Sequence, residues 1–180
     1  MYRVKRRHVS GTVDVSKVIF LVEIIEFLWG YGIIPWTRKR GKYMDKRVEK
    51  AVELHKNGYN CAQSVVCAFA DEFGADMETT FRISEGFGGG IGDMQGMCGA
   101  LSGAIMAVSL ANSEGTENKK TKGKTYSAAK EMKKKFEGEI GSVICKEIKG
   151  LETGKVLRSC SGCVEEGAAI VVEYLDSRER

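Results

Sequence analysis

Residues 86–112 read GFGGGIGDMQGMCGALSGAIMAVSLAN, and the interpretation of the whole chain starts from this stretch. Eight glycines lie between Gly86 and Gly103, and small and apolar residues follow them. Glycine permits backbone conformations closed to other residues, and the absence of a Cβ lets two backbones approach closely. We therefore predict a glycine-rich loop, followed by a central helix that Cys98 opens and that packs closely against its neighbours.

The segments on either side of this stretch are helical in pattern. Asp45 and Asn60 are suitable N-caps for the segments DKRVEKAVELHK and CAQSVVCAFADEF, which end at Gly58 and Gly74. Three further helices are predicted: METTFRI, an amphipathic segment from Thr125 to about Ile148, and a last helix from about Cys160 to Tyr174. No proline occurs after Pro35, which also favours helices. The prediction is an all-α, single-domain helical bundle over residues 44–180.

The composition is that of an ordinary globular protein. The chain has 180 residues, of which 43% are hydrophobic and 29% charged, so wholesale disorder is excluded. Residues 1–43 carry nine Lys or Arg and three Asp or Glu, whereas residues 44–180 carry 19 and 21. A nearly neutral body predicts no nucleic-acid partner, and the lysines at 119–124 are interpreted as a solvated loop.

The first 43 residues form a separate segment with an apolar run at residues 18–36. Three interpretations remain open: an over-called start with Met44 as the true first residue, a membrane anchor or interfacial helix, and an extra packed helix. Glu23 and Glu26 lie inside the run, and a carboxylate in a bilayer is costly. No cleavable signal peptide is recognised. We expect a cytoplasmic protein, membrane-associated if residues 18–36 form a real anchor.

Six cysteines are the main chemical feature of the sequence. In a reducing compartment they indicate metal binding or redox chemistry more than structural disulfides. Cys61, Cys98 and Cys160 are placed at predicted helix starts, where backbone N–H groups and the helix dipole lower the pKa of a thiol. Cys145 is predicted to lie late in its helix, and Cys67 to pack in the core. Cys163 forms a CxxC motif with Cys160, a spacing typical of redox dithiols.

Four stretches resemble the C_GCAxxG_C_C family of redox-active proteins: NCAQSVVCAFADEFG, GFGGGIGDMQGMCGALSGA, SVICKEI and SCSGCVEEGAAIV. The resemblance covers essentially all of residues 44–180, and Cys98, Gly99, Ala100 and Gly103 supply the CGAxxG motif. It implies a helical fold and a cysteine-based redox or metal role. The four characteristic cysteines of the family correspond to Cys61, Cys98, Cys145 and Cys160, whereas Cys67 and Cys163 fall outside the pattern. Such proteins are often found beside transporter genes, which implies a transporter or other membrane protein as a partner.

The candidate site consists of the cysteines 61, 98, 145 and 160, together with Cys163. Thiolates that lie close together repel, so the site needs positive potential, and backbone N–H groups of a glycine-rich loop can supply it. The candidate supporting residues are Gly88, Gly89, Gly90, Gly92 and Gly99, with Gly96 also in the loop. Four thiolates with N–H donors suit an iron–sulfur cluster of the [2Fe–2S] type. Zinc fits less well, because structural zinc sites usually draw on close CxxC pairs.

The functional alternatives therefore stay open at this point. The leading interpretation is electron transfer or thiol–disulfide exchange by an oxidoreductase, with a cluster and a metal-free dithiol equally compatible. A non-enzymatic metal-binding or transporter-associated accessory module competes with it, as does a set of inert core cysteines. No P-loop or dinucleotide fingerprint is present, and His55 is interpreted as a structural histidine. The redox partner and the oligomeric state are not specified by the sequence.

Overall fold

The computed structural model describes residues 45–178. The predictions for residues 1–43, including an anchor at residues 18–36 and a domain boundary at Met44, lie outside the described residues. Within residues 45–178 there are seven α-helices and no strand, so the predicted all-α class is confirmed. They are α1 (Lys46–Lys56), α2 (Cys61–Phe69), α3 (Met77–Ser84), α4 (Gly99–Asn112), α5 (Lys122–Ile140), α6 (Cys145–Ile148) and α7 (Cys160–Arg178).

Local capping explains where the first helices begin. Asp45 accepts a hydrogen bond from the N–H of Arg47 and caps α1. Asn60 caps α2 through a capping box, in which its side chain accepts from Gln63 N and the Gln63 side chain accepts from Asn60 N. Asp76 caps α3 by accepting from Thr79 N. These contacts satisfy N–H groups that have no partner inside the helix, and they fix the first residue of each element.

The core of the bundle lies between α2, α4 and α7. Helix α4 packs against α2, α5 and α7, while α1 packs against α2 and α7. Close approach depends on glycine: a Cβ at Gly103 would lie 2.5 Å from Ala62 O, and one at Gly167 would lie 2.8 Å from Ala100 O. Such distances are too short for any real Cβ, so these two positions bring the helices that carry the cysteines into direct backbone contact.

The structure corrects the predicted amphipathic segment from Thr125 to about Ile148. Helix α5 begins at Lys122 and ends at Ile140, because Gly141 takes the left-handed conformation with φ +96°. Ser142 then accepts from Ile144 N at 3.0 Å, and the separate short helix α6 starts at Cys145. The early start of α5 also shortens the solvated loop predicted at residues 119–124, because Lys122 is already helical. The other predicted helices are confirmed with small shifts of their ends.

Among the described helices, none is both long and apolar enough to span a membrane.

Candidate functional site: a cysteine-lined cavity

A cavity of about 340 Å³ lies where four helices begin. Cys61 is the first residue of α2, Cys98 is the N-cap of α4, Cys145 is the first residue of α6, and Cys160 is the first residue of α7. Each of these cysteines lines the cavity, and so does Cys163. Helix N-termini carry positive potential, which favours the thiolate at Cys98 but is outweighed by burial at Cys61 and Cys145.

The placement of Cys145 differs from the prediction. The expectation that it lies late in a long helix is wrong, because the break at Gly141 makes it the first residue of α6. Its N–H donates to Gly96 O at 3.0 Å, and the N–H of Lys146 donates to Met94 O at 2.9 Å. The glycine-rich loop therefore holds the beginning of α6 directly, and the Cys145 side chain reaches the cavity from there.

The loop itself has an unusual backbone. Gly89, Gly90, Ile91 and Gly92 all have positive φ, between +56° and +85°. Position 90 requires glycine for a second reason as well: a Cβ there would collide with the Cβ of Cys145. Gly88 lies against the side chain of Asn60, and the cavity lining includes the glycines 89, 90, 92 and 99.

The loop N–H groups are used partly inside the loop. Those of Gly92, Met94 and Gly96 donate to the carbonyls of residues 88, 89 and 90, at 2.9 to 3.1 Å. These three donors shape the loop instead of facing sulfur. Through the bonds from Cys145 N and Lys146 N, the loop holds the beginning of α6 and with it Cys145.

The thiol of Cys98 has a lowered pKa, so its thiolate form is favoured. Its pKa is lowered from 9.0 to about 7, above all because the Cys163 thiol donates a hydrogen bond to it. The N–H groups of Ala100 and Leu101, in the first turn of α4, and the charge of Lys149 act in the same direction. Burial opposes them, since only 5% of Cys98 is exposed. Cys98 is therefore the thiol that ionises first.

The neighbouring thiols hold their protons. The pKa of Cys163 is raised because its proton bonds Cys98 and because the side chain is buried. Burial raises the pKa of Cys61 to about 12, with a further contribution from the adjacent Cys160. Burial also raises the pKa of Cys145. Cys98 thus ionises while the neighbouring Cys163 keeps its proton, which is the asymmetry that a nucleophile and its resolving partner require.

Cys67 is separate from this group. It is fully buried in α2, it does not line the cavity, and burial raises its pKa to about 11. Its predicted place in the core is confirmed.

Comparison with known proteins adds a family assignment. A family model described as "Putative redox-active protein (C_GCAxxG_C_C)" matches residues 59–174. The chain belongs to this family. No curated protein and no solved structure matches the chain. The C_GCAxxG_C_C match begins just before Cys61 and includes every residue named above as lining the cavity.

Within residues 45–178, no three His, Cys, Asp or Glu side chains are arranged to hold one metal ion. A [2Fe–2S] cluster or a zinc ion needs four ligands around one centre. The thiols interact across the cavity: Cys61 is influenced by Cys98, Cys145 and Cys160, and Cys98 accepts a hydrogen bond from Cys163.

Sequence reasoning missed some members of the site. Lys149, Arg158 and His55 also line the cavity, and Lys149 favours the Cys98 thiolate. His55 was expected to be structural, and its Nδ1 does lie 3.0 Å from Tyr59 O. The CxxC motif suggested that Cys160 pairs with Cys163, whereas the observed contacts run between helices. A signal for the position of Cys145 existed in the sequence, because Gly141 is a typical helix stop and Ser142 after it favours a turn.

Proposed function

We propose that this protein carries out thiol–disulfide exchange, with Cys98 as the attacking thiol and Cys163 as the resolving thiol. The observation that carries the proposal is the contact between these two side chains at the beginning of α4, where one thiol is ionisable and the other keeps its proton. The family description, a redox-active protein, supports the same class of chemistry. As a catalyst it would be a thiol oxidoreductase.

The proposed reaction proceeds in two displacements. The Cys98 thiolate attacks a disulfide R–S–S–R, forms the mixed disulfide Cys98–S–S–R, and releases one R–S⁻ that takes up a proton from solvent. Cys163 then loses its proton and attacks the Sγ of Cys98, forming Cys98–S–S–Cys163. The second R–S⁻ leaves and takes up the proton. The substrate gains two electrons and two protons, and the protein dithiol loses them.

Two features of the cavity support these steps. Thiolates, not thiols, attack disulfides, and a pKa of about 7 leaves roughly half of Cys98 ionised at neutral pH. Cys163 is one turn into α7 and already touches Cys98, so the second displacement needs no large movement. The cavity has room for a small disulfide group beside the attacking sulfur, at about 340 Å³.

The competing proposal is a metal or cluster site on the four family cysteines. It would need three or four thiolates around one centre, and residues 45–178 contain no group of three such side chains arranged to hold one metal ion. We favour the dithiol because it requires only the contact between Cys98 and Cys163.

One preparation separates these proposals. The full chain is purified without oxygen, and its iron, zinc and acid-labile sulfide are measured. It is then treated with oxidised glutathione, blocked with N-ethylmaleimide and mapped by mass spectrometry. We expect a Cys98–Cys163 disulfide in the wild type and in Cys67→Ala, and none in Cys98→Ser. Stoichiometric iron and sulfide, with the cysteines 61, 98, 145 and 160 protected from alkylation, would refute the dithiol proposal and support an iron–sulfur cluster.

A further inference from the structure

The cavity holds a second thiol pair that the proposed reaction does not use. Cys61 and Cys160 open α2 and α7, both line the cavity, and Cys160 is close enough to raise the pKa of Cys61. The Asn60 capping box fixes the backbone of Cys61 at the first turn of α2, and so fixes the point from which its side chain projects. Two thiols in contact on separate, well-anchored helices form a dithiol that can close into a disulfide.

The two pairs differ in their access to solvent. Cys98 and Cys163 are only 5% and 2% exposed, whereas Cys61 and Cys160 are both partly exposed. A disulfide carried by a macromolecule cannot bring its sulfur to the inner pair, because attack requires the three sulfurs to come into contact. The outer pair is within reach of such a disulfide.

The pairs are also close enough to exchange with each other. The charge of Cys98 contributes to the raised pKa of Cys61. The charges of Cys160 and Cys61 contribute to the raised pKa of Cys163. Gly99, the residue after Cys98, lies so close to α2 that a Cβ there would be 3.2 Å from the Cβ of Cys61. Both pairs face the same cavity, and no helix separates them.

We propose that Cys61 and Cys160 form an outer dithiol that reacts with disulfides on macromolecules and passes the oxidation to the inner Cys98–Cys163 pair. This inference rests on the proposed function, since it requires the inner pair to be redox-active. It assigns the protein a substrate class, a disulfide on another protein, and it gives a role to two cysteines that the inner exchange leaves idle.

The relay balances as follows. A macromolecular disulfide oxidises the outer pair to Cys61–S–S–Cys160 and leaves as two thiols. The Cys98 thiolate attacks the Sγ of Cys61, forming Cys98–S–S–Cys61 and releasing the Cys160 thiolate. Cys163 gives up its proton, which neutralises the Cys160 thiolate, and attacks the Sγ of Cys98. The products are Cys98–S–S–Cys163 and a Cys61 thiolate, which takes up a proton from solvent. Two electrons and one proton have moved from the inner to the outer pair, and the second proton has come from solvent.

The test compares the same oxidant as a free small molecule and attached to a large polymer. Dithiobis-nitrobenzoate is used free and coupled to dextran, and formation of the inner disulfide is followed by quenched peptide mapping on the full chain. The quantity measured is the rate with the dextran reagent divided by the rate with the free reagent. In Cys61→Ser/Cys160→Ser, we expect this ratio to be about 10-fold or more below that of the wild type. Cys67→Ala is the matched control, because it removes a cysteine that does not line the cavity.

A second measurement avoids reliance on the double variant. In the wild type exposed to the dextran reagent, Cys61–S–S–Cys160 should appear first and then decay as Cys98–S–S–Cys163 grows. In Cys163→Ala, the intermediate Cys61–S–S–Cys98 should accumulate. The relay is refuted if the inner disulfide forms first, or if the rate ratio in the double variant equals that of the wild type, and both results leave the proposed function standing. Failure of the inner disulfide to form with either reagent removes the proposed function and the relay together.

Discussion

At the scale of single residues, the chemistry depends on one proton shared between Cys98 and Cys163. The hydrogen bond from Cys163 is the largest contribution to the lowered pKa of Cys98, and the same bond raises the pKa of Cys163. The first turn of α4 and Lys149 add to the effect. Burial alone would have raised the pKa of Cys98, as it does for Cys67. The specific neighbours therefore outweigh the general effect of the core.

Alkylation should follow this order of ionisation. In reduced, metal-free protein, we expect Cys98 to react with iodoacetamide with a rate that is half-maximal near pH 7, matching its pKa of about 7. Cys67, whose pKa is about 11, should stay unmodified until strongly alkaline pH. Site-resolved mass spectrometry of timed samples measures both rates. Modification of Cys67 ahead of Cys98 at neutral pH would contradict the assignment.

Removal of the hydrogen-bond donor should raise the pKa of Cys98. In Cys163→Ala, the alkylation midpoint of Cys98 should move from about 7 toward the ordinary value of 9.0, because the largest stabilising contact of the thiolate is lost. Lys149→Gln should shift it in the same direction by less, because this lysine is the last of the named contributions. An unchanged midpoint in Cys163→Ala would show that the two thiols do not interact in solution.

At the scale of elements, the site exists because four helix starts meet, and glycine allows them to meet. Gly103 lets α4 cross α2 at backbone contact, and Gly90 lets the loop pass over Cys145. The left-handed turn at residues 89–92 is closed by a hydrogen bond from Gly92 N to Gly88 O at 2.9 Å. Glycine is favoured at loop positions 89, 90 and 92 because their φ angles are positive.

Gly103→Ala should destabilise the protein by about 1–3 kcal/mol, because the new methyl group has to push α2 and α4 apart. Gly138→Ala is the matched control: Gly138 is exposed in α5, and a Cβ there meets nothing within 4 Å. It should stabilise by up to about 1 kcal/mol, through helix propensity alone. Urea denaturation of both variants measures the difference. Equal effects of the two substitutions on stability would contradict a close crossing of α2 and α4.

Much of this element-level picture could be predicted from the sequence. The N-caps Asp45 and Asn60, and the helix openings at Cys98 and Cys160, follow from local capping rules and agree with the structure. Cys145 was misplaced because the apolar spacing of Phe136, Ile140 and Ile144 outweighed the break signal at Gly141. The pairing of the cysteines could not be predicted, because it depends on how α2, α4 and α7 pack and not on spacing along the chain.

At the scale of the whole molecule, buried thiols connect the site to stability. The folded pKa values of Cys61 and Cys67 are about 12 and 11, above the ordinary value of 9.0, so the folded state holds these protons more tightly. Their contribution is present below pH 9 and is lost as the pH rises toward 11 and 12. Cys98 acts in the opposite sense: its contribution is present above pH 9 and is lost as the pH falls through 7.

Stability of the reduced protein should therefore fall as the pH rises above 9. Thermal denaturation from pH 7 to 11, in the presence of reductant, measures this, and Cys67→Ala isolates one contribution. The decrease in melting temperature between pH 9 and 11 should be smaller in Cys67→Ala than in the wild type, because one tightly held proton has been removed. An identical pH dependence in the two proteins would show that the buried Cys67 thiol is not linked to unfolding.

The most direct test of the central claim is a redox titration of the full chain in glutathione buffers, with each cysteine followed by quenched peptide mapping. The account predicts that Cys98 and Cys163 lose their free thiols together in one two-electron transition, and that the peptide recovered is the Cys98–Cys163 disulfide. The contrary result is a Cys98 that stays reduced throughout the titration, or that pairs with another cysteine while Cys163 remains free.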